Sequence, residues 1–121
     1  MPYSSALALT LLVEAPLYTV ALVRAGGVRP ARAATASVLV NLATHPLLWW
    51  SVSHRTGGTA AAYWTAFAVG EAAVCATEAA LLRPLAGLRL RGPLPWAVAG
   101  TANAASVLAG LLAGPLGAAR W

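Results

Sequence analysis

A chain of 121 residues with 60% apolar residues, 9% charged residues and a mean hydropathy of +0.72 lies outside the ordinary soluble class, where about half the residues are apolar and about a quarter charged. Its single cysteine, Cys75, excludes an internal disulfide framework, and the lack of paired Cys/His spacings excludes a zinc-finger-like scaffold. The net charge of +5 comes from eight Arg and no Lys against three Glu and no Asp, with every Glu inside an apolar stretch and every Arg outside one.

Four stretches are long enough, at about 1.5 Å per residue, to cross a hydrocarbon core of roughly 30 Å. The first, Ser4 to Val23, carries Glu14 at its centre. It has neither a basic leader nor a small-residue cleavage site, so it reads as a retained helix and not as a secretory signal. The connector RAGGVRPAR (24–32) leads to the second, Ala33 to Val52. SHRTGG (53–58) leads to the third, Ala60 to Leu82, and RPLAGLRLRGP (83–93) to the fourth, Pro95 to Leu116. The Gly, Pro and Arg of these connectors are the punctuation of helix ends. The expected fold is all-α: a four-transmembrane-helix bundle forming a single multi-pass domain over residues 1–121, in the cell membrane.

Arginine placement sets the expected orientation, because positively charged loops stay cytoplasmic. Arg24, Arg29, Arg32, Arg83, Arg89 and Arg91 flank one face and only Arg55 and Arg120 the other, which puts both termini outside. Trp49, Trp50 and Trp96 fall near span ends, where indole rings favour the interface. The positive charge reads as topology and attraction to anionic lipid, so the lipid bilayer is the expected partner and nucleic acid is not.

The third span holds Glu71 and Glu78, and each acid near a span centre costs about 2.5–3.5 kcal/mol on insertion scales. These acids must face protein or trapped water, supplied by the other three helices or by a second copy of the chain in a homo-oligomer. Gly110 and Gly114 offer a small-residue pair for close helix packing.

Consecutive spans run in opposite directions, so only their midpoints share a depth. Glu14, Asn41 with His45, Glu71 and Asn103 are each near a midpoint and are expected to meet in one layer. Glu78, seven residues beyond Glu71 on the same face, is expected about 10 Å nearer the cytoplasm, with Cys75 between them as packing. Ser106 shares a face with Asn103. Pro16 and Pro46 free the carbonyls of Leu12 and Leu42, which either line a ligand site or merely accompany a packing kink. With no Arg or Lys in any span, three Glu have one intramembrane base, His45, and must otherwise carry protons, share them or hold a cation.

That set supports three readings. The first is an intramembrane Glu/Asn/His site for a proton or cation, used for transport, with Asn41, Glu78 and Asn103 as ligand-binding groups beside Glu14 and Glu71. The second is a membrane-embedded enzyme acting on a lipid-like or isoprenoid substrate, with Glu14, Glu71 and His45 as catalytic residues, by acid chemistry or with a metal ion on His45 and Glu71. The third is a structural subunit of a membrane complex. The segments VEAP (13–16), NLATHPLLW (41–49), GEAAVCATE (70–78) and NAAS (103–106) resemble a pattern in small bacterial four-span membrane proteins. That resemblance covers all four spans; it implies that the polar set works as a unit and implies no reaction. Length, four spans and Glu14 midway along the first also resemble the small multidrug-resistance transporters superficially. Glu71, Glu78, Asn41 and His45 depart from the single-acid membrane site of that family, so drug export is not implied.

Overall fold

The computed structural model describes residues 2–54, 58–87 and 92–118, with side chains to 114 in the last stretch. Four helices account for nearly all of them: α1 (Tyr3–Arg24), α2 (Pro30–Ser53), α3 (Ala60–Ala86) and α4 (Leu94–Ala118). Their 22 to 27 residues correspond to roughly 33–40 Å of rise, enough to cross a bilayer core.

Local chemistry fixes the ends. Pro30 opens α2, where its ring presets the helical φ and its missing N–H costs nothing. The Thr59 hydroxyl caps α3 by accepting the Ala62 N–H at 3.2 Å. After α1 the chain turns through Gly27 at φ +65° and folds back, the Val28 N–H donating to the Leu22 carbonyl at 3.1 Å. Gly87 closes α3 in the left-handed conformation at φ +67°, its N–H donating to the Arg83 carbonyl. Arg32 then reaches across from α2, its Nε–H donating to the Leu85 carbonyl at 3.2 Å, which places a cation on the negative end of α3. Helix α3 runs through Pro84 to Ala86, four residues beyond the expected end at Leu82.

Packing occurs between α1 and α2, α2 and α3, α3 and α4, and α4 and α1, so the helices form a ring of sequential neighbours. Three of them, α1, α3 and α4, are long and apolar enough to cross a membrane. The less apolar α2 owes its composition to Ser37, Asn41, Thr44 and His45, all buried. Its outward side shows Val38, Leu39, Leu42, Leu47 and Trp50.

Burial is lopsided along the bundle axis. The apolar core, including Tyr18, Leu22, Val40, Leu82 and Ala99, lies in the half that carries the α1–α2 and α3–α4 connectors, here called the arginine end. Along α3 no residue before Glu78 is buried, and along α4 none of the described side chains after Asn103 is. The half nearer the chain termini is therefore more loosely filled. Gly70 marks one close approach there: a Cβ on it would stand 2.7 Å from Leu48 Cδ1.

Gly87→Ala combines a left-handed backbone with a Cβ 2.6 Å from the Arg32 guanidinium; it is expected to lower unfolding stability in detergent by about 1–2 kcal/mol. Gly100→Ala, in a helix interior with open space around it, is expected to raise stability by about 0.5–1 kcal/mol. Thermal or denaturant unfolding of the two variants checks both signs.

Candidate functional site: an acidic cavity above a buried carboxyl

Glu78 is 1% exposed and bonds to each of the other three helices. The Tyr18 hydroxyl of α1 and the Asn103 Nδ2 of α4, at 2.7 Å, both donate to its Oε2. The Thr44 hydroxyl of α2 stands 2.6 Å from its Oε1. Asn103 Nδ2 has two hydrogens and uses the second on the Ala99 carbonyl at 2.9 Å, one turn back in its own helix. Thr44 has one hydroxyl hydrogen and two acceptors, Glu78 Oε1 and the Val40 carbonyl at 2.9 Å. A proton on Glu78 Oε1 would satisfy both, with the carboxyl donating to Thr44 and Thr44 to Val40.

Glu78 forms part of the floor of a cavity of about 300 Å³ that extends toward the termini. Glu14, Asn41, His45, Glu71, Asn103 and Ser106 give it a polar lower wall. Glu14 is 2% exposed, and its Oε2 has no hydrogen-bond partner. Asn41 commits its Nδ2 to the Ser37 carbonyl at 2.9 Å. His45 is 9% exposed, and its Nδ1 is likewise without a partner. The Tyr3 ring packs on His45 at 5.5 Å between centroids and against Trp49 at 5.7 Å. Higher up, Trp49, Tyr63, Trp64 and Phe67 form an aromatic wall, with Leu9, Val107 and Leu111 opposite. No Arg or Lys is among the described lining residues.

All six residues expected from sequence to form the site, Glu14, Asn41, His45, Glu71, Glu78 and Asn103, line this one cavity. Their expected layering is corrected. Asn103 pairs with Glu78 and not with Glu71, so the layer that joins the helices is centred on Glu78, two turns along α3 from Glu71 toward the arginine end. The packed core lies in the arginine half of the bundle, and the buried part of α3 begins at Glu78. Cys75 is half-buried with its thiol 4.0 Å from the Ala99 carbonyl, a packing position. His54 is exposed beside the Trp50 carbonyl. The arginines Arg55, Arg89, Arg91 and Arg120, used in the orientation count, lie outside the described residues.

The prolines do not serve the cavity. A helical carbonyl points along the axis toward the residue four positions on, so the groups freed on Leu12 and Leu42 face the sides of Pro16 and Pro46. Both prolines are exposed, and Leu12 and Leu42 are 75% and 45% exposed. The metal expectation for His45 and Glu71 gains no third ligand: among the described residues no three His, Cys, Asp or Glu side chains gather in a group that could hold an ion.

Tyr18 and Thr44 are partners of Glu78 that sequence reasoning missed. Their only sequence signal was position, Tyr18 four residues after Glu14 and Thr44 three after Asn41, which puts each on an already marked helix face. Comparison with protein-family models, with curated proteins and with solved structures gives no match.

Tyr18→Phe removes one donor to Glu78 and is expected to cost about 0.5–2 kcal/mol of bundle stability, the range for hydrogen bonds between membrane helices. The same change in a Glu78→Gln background is expected to cost measurably less. A double-mutant cycle from denaturant unfolding in mixed micelles measures that coupling.

Proposed function

We propose that this chain is a small integral membrane protein that binds a cation in exchange for protons at the carboxyl groups of its cavity, and that the exchange serves transport. One observation carries the reading: Glu14, Glu71 and Glu78 share a cavity with amides and hydroxyls, and no Arg or Lys among the described lining residues compensates them. Acids in such a setting become neutral by holding protons or by taking a cation, and the two compete. Transport draws support from the shape. A cavity reaching the termini end and a packed core at the arginine end form one of the two states that alternating access requires. With the termini placed outside by the arginine count, this state opens outward.

The other two readings have less support. For the enzyme reading with a metal ion on His45 and Glu71, no group of three His, Cys, Asp or Glu side chains that could hold an ion occurs among the described residues. For assembly through the polar set, most of the ionisable and amide groups are already enclosed. Glu14, Ser37, Asn41, Thr44, Glu78 and Asn103 are all buried inside the single chain.

Proton release tests the proposal. Detergent-purified protein in weakly buffered solution with a pH indicator is titrated with Na⁺, K⁺ and an organic ammonium salt. Wild type is expected to release protons with at least one of them, and Glu14→Gln with Glu71→Gln to release fewer. Wild-type protein that stays helical and monodisperse yet releases none with any of these cations contradicts the proposal.

A further inference from the structure

We propose that the arginine end carries a site for one anionic phospholipid, its phosphate held by the Arg32 guanidinium and an acyl chain lying along the outer face of α2 past Leu39. The site is separate from the cavity and does not depend on the cation reading. It goes beyond the general attraction of arginine for an anionic bilayer, because one side chain is fixed in place to receive the phosphate.

Charge at this end is uncompensated within the chain. Arg24, Arg29, Arg32 and Arg83 are all exposed there. The only acidic side chains, Glu14, Glu71 and Glu78, belong to the cavity and to the network beneath it. An anion for these arginines therefore has to come from outside the fold.

Arg32 is fixed at two places. Its Nε–H donates to the Leu85 carbonyl at 3.2 Å. Its guanidinium carbon and both terminal nitrogens stand at the same 2.6 Å from the point that a Cβ on Gly87 would occupy, so the planar group lies over the glycine in room that any side chain would take. Neutralising the carbonyl end of α3 uses one of the five guanidinium N–H donors. The donors on the two terminal nitrogens have no acceptor among the described residues. Held rigidly, they form a fork that matches two oxygens of a phosphate. Arg29, three residues before Arg32, and Arg83, four before Gly87, put two further cations within about one helical turn of the contact.

Depth selects a lipid over a free anion. Trp96, in the first turn of α4 and 54% exposed, marks this end as interfacial. Leu39 lies seven residues beyond Arg32 on the same face of α2, 45% exposed, and about 10 Å nearer the bilayer centre. A phosphate at Arg32 thus stands above exposed apolar surface of the same helix, as the phosphate of a lipid stands above its chains. A headgroup with its own ammonium brings a cation toward Arg29 and Arg83, so a net-anionic headgroup is selected.

The test titrates full-length protein in neutral detergent with phosphatidylglycerol, with phosphatidylcholine of the same chains, and with inorganic phosphate. Native mass spectrometry counts retained lipid, and thermal unfolding reads stabilisation. One phosphatidylglycerol is expected to be retained about tenfold more tightly than phosphatidylcholine and to raise the unfolding temperature, with inorganic phosphate doing neither. Arg32→Lys keeps the charge and loses the fork, and is expected to weaken phosphatidylglycerol by roughly fivefold or more. Arg83→Gln, at an exposed position, is expected to weaken it by roughly two- to fivefold, which keeps the test open if Arg32→Lys fails to fold. Equal retention of the two lipids, or an Arg32→Lys variant that binds like wild type, overturns the proposal by reducing it to unspecific attraction. Stabilisation by inorganic phosphate equal to that by phosphatidylglycerol overturns the lipid assignment in favour of a free anion.

Discussion

One buried carboxyl group, that of Glu78, is hydrogen-bonded to Tyr18, Thr44 and Asn103, and so connects all four helices at a single point. In water such a bundle would be held mainly by burial of apolar surface. In lipid that driving force between helices is absent, because acyl chains are as apolar as Leu, and association depends on close packing and interhelical hydrogen bonds. A carboxyl with three partners on three helices therefore sets the relative height and rotation of every helix. Slipping one helix by a turn would move its donor about 5.4 Å away.

The same point divides the bundle into halves with different tasks. Toward the arginine end, Tyr18, Leu22, Val40, Leu82 and several alanines pack into the apolar core, and the Arg32 side chain holds the end of α3. Toward the termini, the helices leave a cavity whose remaining polar groups are not consumed by structure. The knot uses Glu78, Asn103, Thr44 and Tyr18. Glu14 and His45 line the cavity, each with one buried atom that has no partner, and Glu71 stays half-buried on its wall.

The helical class and the ionisable residues that line the cavity were legible in the sequence because both rest on large energies. Twenty apolar residues have few alternatives to crossing a bilayer, and Glu14, Glu71, Glu78 or His45 inside such a stretch must point inward. The arrangement within the site was less legible. Midpoint alignment treated each span as centred on its apolar run, yet α3 continues through Arg83 and Pro84 to Ala86, a continuation hidden by residues that ordinarily signal a helix end. Tyr18 and Thr44 carried no warning, since neither residue type is costly in a membrane helix and Thr can bond its own backbone, as Thr19 and Thr77 do. Pro16 and Pro46 marked exposed helix faces, and sequence position alone could not distinguish those from cavity-facing ones.

The division of the bundle at Glu78 is tested most directly by cysteine accessibility. In a Cys75→Ala background, Val107→Cys places a thiol on the cavity wall and Ala99→Cys places one in the packed core. A membrane-impermeant maleimide applied from the side of the termini should label Val107→Cys rapidly and leave Ala99→Cys unreacted in the folded protein. Labelling of Ala99→Cys at a comparable rate, or protection of Val107→Cys, would contradict a cavity that stops at the Glu78 knot.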